Sequence, residues 1–563
     1  MRRQVLFIPI LALVMVATAL AQDNPILPLG APYGGNNRPH VYRVPYIFGN
    51  GCNIVVKWKQ DLSVAPYATR RNAWHNITFD EQGFLYFRGA GNAELGIHKA
   101  DPATGNKIWW SAAVPDTAFS TQSAIVGSEA VYAARNDPGN PTVYALNKAT
   151  GVPIWESAPL PMPVLLNMAL YDGVLYGTTA RDANGNNHAF AINAATGVIM
   201  HATPYPTSGD NGYYNAAFAP DVFDEGVHGL YWFHNDNGDL GEAIYGVQIS
   251  NATAAKAWSS TPIRAYGSNA IYNPDMNAVY ALHWADYGTA VECYDPVTGA
   301  IRWTAAPNGD PTLGFPGGFN GGFYKTHPLK PDGSGFVFAG FGHDVYSVTD
   351  PGDLGGGALN YTAHGDWYYD GLDILGESQT CAVLIVDPVT NAKVFVSGTT
   401  AAYDDSDPNN IIDEPRRLFA MNVPVGSLIW EWVNPGDVNP YDWSFNFRAL
   451  SVGPDGTLYY QDAAEPPGGN GTLYAITSNA VPGDVDCNLV VNGLDLTAVI
   501  TAWQTKPGDA LWNPKADLDV SGVVDGLDLT AVISNWTIPS SAAPEESEAA
   551  KPGKRLGNVR KGR

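Results

Sequence analysis

From about Val41 to Ser478, apolar and polar residues alternate along short runs that are cut by tight-turn residues, the pattern of successive hairpins of half-buried strands. One phrase carries most of this pattern. Val143-Tyr-Ala-Leu-Asn-Lys-Ala-Thr-Gly-Val-Pro-Ile-Trp155 is an alternating strand, a turn and a second strand that ends in a large aromatic. It returns at Ile97 to Trp109, Ala189 to Met200, Val291 to Trp303 and Leu418 to Trp430. In each copy Asp or Asn at the strand end can accept from the turn amides, and Gly supplies the positive φ that a residue with a Cβ resists. A second strand pair precedes the phrase, as in Ile77 to Phe87, Ala169 to Tyr176 and Leu450 to Tyr459, so the unit has four strands.

Units of this size stack, because one hairpin cannot bury its apolar face alone. The Trp of each phrase is a broad apolar plate suited to the wedge between neighbouring sheets. Counting that position gives Trp58, Trp109, Trp155, Met200, Trp258, Trp303, a degenerate site near Asn360, and Trp430, at spacings of about 45–51 residues where the phrase is clear. This predicts a mainly β protein with eight blades. Asn53 to Lys59 reads as a lone outer strand, and the final phrase, Leu473 to Thr477, lacks one. Joining them closes the ring and hides its edges.

The phrase [YF]-A-[LIM]-[DN]-x-x-T-G-x-x-x-W resembles the repeats of quinoprotein-like propellers, which are named for pyrroloquinoline quinone (PQQ). The resemblance implies the eight-bladed fold. It does not choose an activity, since the repeat builds both quinone dehydrogenases and non-catalytic scaffolds such as the outer-membrane assembly propeller. A dehydrogenase of this fold would be expected to carry an adjacent Cys-Cys pair, and its haem-bearing relatives a C-x-x-C-H motif. Neither occurs here, so PQQ is not expected as a cofactor.

After Ser478 the pattern changes. Two segments place oxygen-bearing side chains at positions 1, 3, 5, 9 and 12 of a twelve-residue loop: Asp484, Asp486, Asn488, Asn492 and Asp495, then Asp517, Asp519, Ser521, Asp525 and Asp528. Val490 and Val523, at position 7, offer backbone carbonyls. A hard cation such as Ca²⁺ needs six to eight oxygens, and this is the spacing of an EF-hand loop that ends in Asp. Each loop runs into the same helix, Leu496 to Trp503 and Leu529 to Trp536, 33 residues apart.

This duplication, over residues 483–536, resembles a type I dockerin. The resemblance implies two Ca²⁺ sites, attachment to a cohesin-like protein partner, and involvement in polysaccharide breakdown. Two departures stand out. Position 6 of the first loop is Leu489 where Gly normally makes the sharp turn, whereas the second loop has Gly522, so the resemblance fixes the affinity of the first site less firmly than that of the second. Positions 10 and 11, where many dockerins present hydroxyls to a cohesin, are Gly493-Leu494 and Gly526-Leu527.

Composition adds context. The 563 residues include 60 Gly, 42 Pro, 29 Tyr and 16 Trp, which suits a turn-rich β protein and excludes a long coiled coil. The net charge of −24 argues against nucleic acid and anionic lipid as partners. Only Lys551 to Arg563 is basic, and residues 537–563 are expected to be a disordered tail. Met1-Arg2-Arg3, the apolar run Val5 to Leu20 and Ala19-Leu20-Ala21 read as a signal peptide over residues 1–21. No later run is long enough to span a membrane. The mature chain is expected to be secreted, periplasmic or at the cell surface. There Cys52, Cys293, Cys381 and Cys487 can oxidise in three pairings, with Cys487, in its separate module, expected to stay unpaired with the others.

H-E-x-x-H, G-x-x-x-x-G-K-[ST] and G-x-S-x-G are absent. His364 to Asp373, and Tyr403 to Asp407 with Asp413-Glu414, set aromatics beside carboxylates, which suits sugar rings. Insertion loops between blade strands are the simpler reading of both. His283 and His343 read as structural, and the sequons at Asn76 and Asn251 mean little in a bacterial chain, the origin a dockerin suggests. The favoured function is an exported, non-catalytic binding or scaffold protein whose propeller (41–478) recognises a carbohydrate or protein and whose dockerin-like module attaches it to a partner. The rival is an enzyme, either a divergent PQQ-dependent oxidoreductase or a polysaccharide-active hydrolase or lyase.

Overall fold

The computed structural model describes residues 41–537 except 43, 72–76, 91–92, 116–123, 138, 165–167, 208–215, 221–228, 236–242, 261–270, 274–276, 286–287, 306–334, 340–344, 350–357, 361–382, 391, 399–401, 405–406, 413–416, 423–427, 434–449 and 463–470. Residues 1–21, the His364 to Asp373 segment, Asp413-Glu414, His343, Cys381, the side chain of His283 and the tail from 538 onward lie outside the described residues.

The expected hairpins form antiparallel sheets in chain order. Arg70–Arg71 and Thr78–Phe79 both pair Leu85–Ala90, which continues to Gly96–Ala100 and Lys107–Ser111. Four-stranded sheets follow at Ile125–Val126 to Pro153–Glu156, Ala169–Tyr171 to Ile199–Pro206, Ala216–Pro220 to Ala254–Ser259, and Ile271–Asn273 to Ile301–Ala305. Gly335–Ala339, Val345–Thr349 and Ala358–Asn360 make a three-stranded sheet. Val383–Val386, Lys393–Gly398, Arg417–Asn422 and Leu428–Val433 form another, to whose first strand Val41–Tyr42 adds in parallel. Tyr403, Asp404 and Asp407 belong to a hairpin, Ala402–Asp404 with Asp407–Ile412, inserted between two strands of that sheet. The molecule is a mainly β propeller of at least six blades, followed by a small helical region.

The turn of the repeated phrase works as its residues suggest. Asn147 Oδ1 accepts from the Ala149 and Thr150 amides at 3.0 Å each, and Asn193 and Asp295 repeat this with the residues two and three positions on. The Trp plates fill the wedges in a specific way: Trp58, Trp109, Trp155 and Trp258 each cover the turn glycine of the next sheet. An added Cβ would lie 2.6 Å from Trp58 at Gly105, and 2.5 Å from Trp109 at Gly151 and from Trp155 at Gly197. The indoles also donate across the gap, Trp58 Nε1 to Pro102 O at 2.9 Å, Trp109 to Lys148 O at 3.2 Å and Trp155 to Ala194 O at 3.1 Å.

Closure follows the expected pairing. Ile54–Asp61 runs antiparallel to Thr472–Ser478, with Ile54 opposite Ser478 and Asp61 opposite Thr472. The preceding segment takes the place of the next turn against Trp430. Phe48 lies 5.5 Å from its ring, Trp430 Nε1 donates to Tyr46 Oη at 2.7 Å, and Gly51 leaves no room for a Cβ beside it.

Candidate metal centres

Helices α1 (Gly493–Thr501) and α2 (Gly526–Ser534) begin three residues earlier than the apolar pattern suggests. The reason is a double use of the loop residues. Asn492 and Asp525, at loop position 9, are the N-caps, accepting from the Leu494 and Leu527 amides at 2.8 Å each. Asp495 and Asp528, at position 12, stand three residues on and complete capping boxes by accepting from the Asn492 and Asp525 amides at 2.8 and 2.7 Å. The helices pack through Val499, Ala502 and Val532, with Val485, Val491, Ala516 and Val524 from the loops. Trp503 and Trp536 lie beyond the last turns and stay about two-fifths exposed.

Asp484, Asp486 and Asp495 each bring a carboxylate oxygen within 4.8 Å of the other two, and Asp517, Asp519 and Asp528 do the same. Asp484, Asp495, Asp517 and Asp528 are buried. Backbone amides hold them: Asp484 accepts from Asn488 and Leu489, Asp517 from Ser521 and Gly522, Asp495 from Val485, and Asp528 from Leu518. Among the described residues no Lys, Arg or His pairs with any of the six. Asn488 is turned onto Asp486 Oδ2 at 2.9 Å, and Ser521 Oγ donates to the Val523 carbonyl at 3.0 Å.

Burial, then the charges of Asp528 and Asp519, push Asp517 up to about 7, and burial, with Asp519 adding, pushes Asp528 up to about 6. Burial and Asp495 also raise Asp486. Converging buried carboxylates without a basic partner are the donor set of a hard divalent cation, so the residues fit Ca²⁺. Position 4 of both loops is left-handed, at Cys487 (φ +63°) and Val520 (φ +58°), and at position 6 Leu489 adopts φ +68° where Gly522 has +85° in the second loop.

One expectation is corrected. Cys487 is not unpaired: it forms a disulfide with Cys52, 435 residues away, while Cys293 is buried in the propeller. The assumption that a separate module keeps its cysteine to itself fails because the module is seated on the propeller. Asn50 Nδ2 donates to the Asp484 and Lys515 carbonyls at 3.3 and 2.8 Å, and Asn422 Nδ2 to the Val520 carbonyl at 2.7 Å. Asn50 and Asn422 carry no local signature that could have marked them as partners of the loops.

In the propeller Lys99 and His98 are buried against aromatic rings. Lys99 Nζ lies 3.5 Å from Asp80 and over the ring of Phe84 at 4.2 Å. His98 is buried against Phe87, with burial holding it down at about 4.

The family PQQ_2, described as "Outer membrane protein assembly factor BamB", matches residues 93–211, and "Dockerin type I domain" matches residues 482–539. The chain therefore combines a PQQ-repeat β-propeller region with a C-terminal dockerin type I domain bearing two acidic clusters. No curated protein matches it. Similar solved structures include a "Europium-containing methanol dehydrogenase" (10% identity, 63% of this chain and 90% of that chain, TM-score 0.34). A protein from Lactobacillus plantarum (16%, 64% and 94%, TM-score 0.35) and the "Dos1 propeller" (11%, 75% and 95%, TM-score 0.38) are others. Likenesses of this size say nothing about activity.

Proposed function

We propose that the chain is an exported, non-catalytic binding or scaffold protein, attached through a Ca²⁺-dependent dockerin to a cohesin-type partner. The single observation that carries this reading is the pair of converging carboxylate triads in a duplicated loop and helix that matches the dockerin type I family. Asp484, Asp486, Asn488, Asn492 and Asp495, with the Val490 carbonyl, hold one ion. Asp517, Asp519, Ser521, Asp525 and Asp528, with the Val523 carbonyl, hold the other. Residues 41–478 form an eight-bladed ring, supported by the order of the sheets and by the final pairing of Ile54–Asp61 with Thr472–Ser478. Residues 1–21 are a signal peptide, 483–536 the calcium module and 537–563 a tail. The Cys52–Cys487 disulfide supports an oxidising compartment.

The propeller is the recognition surface, its ligand a carbohydrate or protein within polysaccharide breakdown. Calorimetric titration of the full chain with Ca²⁺ should give two sites, and a recombinant type I cohesin should bind in Ca²⁺ and release in chelator. Absence of both interactions overturns the attachment role. Turnover with PQQ, Ca²⁺ and a dye acceptor, or reducing sugar released from polysaccharide, overturns the non-catalytic one.

A further inference from the structure

The contacts between module and propeller fall on the two places where each depends most on geometry. On the propeller side they flank the closing strand. Cys52 stands two residues before Ile54–Asp61, its carbonyl accepts from Ser478 Oγ at 3.0 Å, and the Asn53 carbonyl accepts from the Asn479 amide at 3.0 Å. On the module side they fall on the ion loops. Asn50 holds the carbonyl of Asp484, loop position 1, and Cys52 is bonded to Cys487, position 4. Asn422 holds the carbonyl of Val520, position 4 of the second loop, whose side chain is buried with Phe48, Trp430, Tyr474 and Ile476 of the propeller. Asn50 and Asn422 are themselves buried, so a loop that changes shape leaves buried amides unpaired.

We propose that cation binding in the two loops is coupled to closure of the propeller, the module acting as a clasp that holds Ile54–Asp61 on Thr472–Ser478. This rests on the Ca²⁺ reading above. Without the ion, three carboxylates in each loop repel at short range, and the loop backbone that presents the Asp484 and Val520 carbonyls relaxes. With the ion, that backbone is set, Val520 stays seated and both Asn side chains keep their acceptors. Coupling is reciprocal, so the closed ring in turn raises the affinity of the loops for the ion.

The test uses the full chain with its disulfide intact, so that the readout reports the non-covalent contacts. Hydrogen exchange is followed by mass spectrometry in Ca²⁺ and in chelator, with calorimetric titration on the same preparation. The expected result is two bound ions and exchange about tenfold slower in Ca²⁺ for peptides over 54–61 and 472–478, with 125–147 unchanged. The Asn50→Ala/Asn422→Ala double variant should still bind Ca²⁺, with lower affinity, and should lose most of the added protection at 54–61. Two bound ions with identical exchange at 54–61 in both conditions overturn the coupling and leave the Ca²⁺ reading standing. No bound ion overturns both.

Discussion

At the scale of single residues, the two loops differ most at position 6. Leu489 holds φ +68° although it is more than half exposed, so its side chain gains little burial for a conformation that costs a Cβ-bearing residue about 1–2 kcal/mol. Leu489→Gly should tighten Ca²⁺ at the first loop several-fold, after the entropy of the added glycine offsets part of the gain by about 0.4–1 kcal/mol. Gly522→Leu should weaken the second loop. Titration calorimetry separates these outcomes, and unchanged affinity in both variants refutes the assignment of strain.

The raised carboxyls predict a pH dependence of definite sign. A carboxyl that titrates near 7 or 6 when folded, and near 3.9 when unfolded, takes up protons on folding. The contribution of these two groups to the ion-free module is therefore complete below about pH 3.9 and is lost as pH rises through 6 and 7. Ca²⁺ binding must displace those protons, so affinity at the second loop should fall by on the order of a hundredfold or more between pH 8 and 5. Proton release measured in two buffers of different ionisation enthalpy checks this.

At the scale of elements, the unit of the propeller is the contact between one blade's Trp and the next blade's turn glycine. Gly151 has φ +71° and no room for a Cβ beside Trp109, whereas Gly139 has φ +85° and open space. Gly151→Ala should cost about 2–4 kcal/mol, the sum of a left-handed alanine and an overpacked contact, and Gly139→Ala about 1 kcal/mol, the conformational part alone. Denaturant unfolding of the two variants measures the difference, and equal losses would show that the indole yields. In the helices, Asp495 and Asp528 belong to the acidic clusters and also complete the capping boxes, so Asp528→Ala should loosen α2 even in chelator.

At the scale of the whole molecule, the Cys52–Cys487 bond closes nearly the whole described chain into one loop. Replacing both cysteines by alanine should lower stability by about 2–5 kcal/mol, read from denaturant midpoints of the full chain. A midpoint that does not move would mean that the bond contributes nothing to the fold. The double variant keeps Asn50 and Asn422, so the non-covalent seat of the module survives it. Buried His98, held near 4 against an ordinary 6.5, must charge on acid unfolding. It makes the propeller lose stability below pH 6.5, opposite in sign to the ion-free module.

The propeller was legible in the chain because its information is local and repeated. A strand, an Asx turn, a positive-φ glycine and a Trp recur within a dozen residues, and a missing outer strand at one end matched a spare one at the other. The two acidic clusters, Asp484, Asp486 and Asp495 and then Asp517, Asp519 and Asp528, were legible for the same reason, since a twelve-residue loop brings its own oxygens together whatever surrounds it. Tertiary structure alone decided the rest. The parallel addition of Val41–Tyr42, the pairing of Cys487 with Cys52, and the grip of Asn50 and Asn422 on the loop carbonyls join residues up to 435 apart with no repeat to announce them. Such contacts depend on which surfaces meet once the blades have stacked, and sequence spacing carries no trace of that meeting.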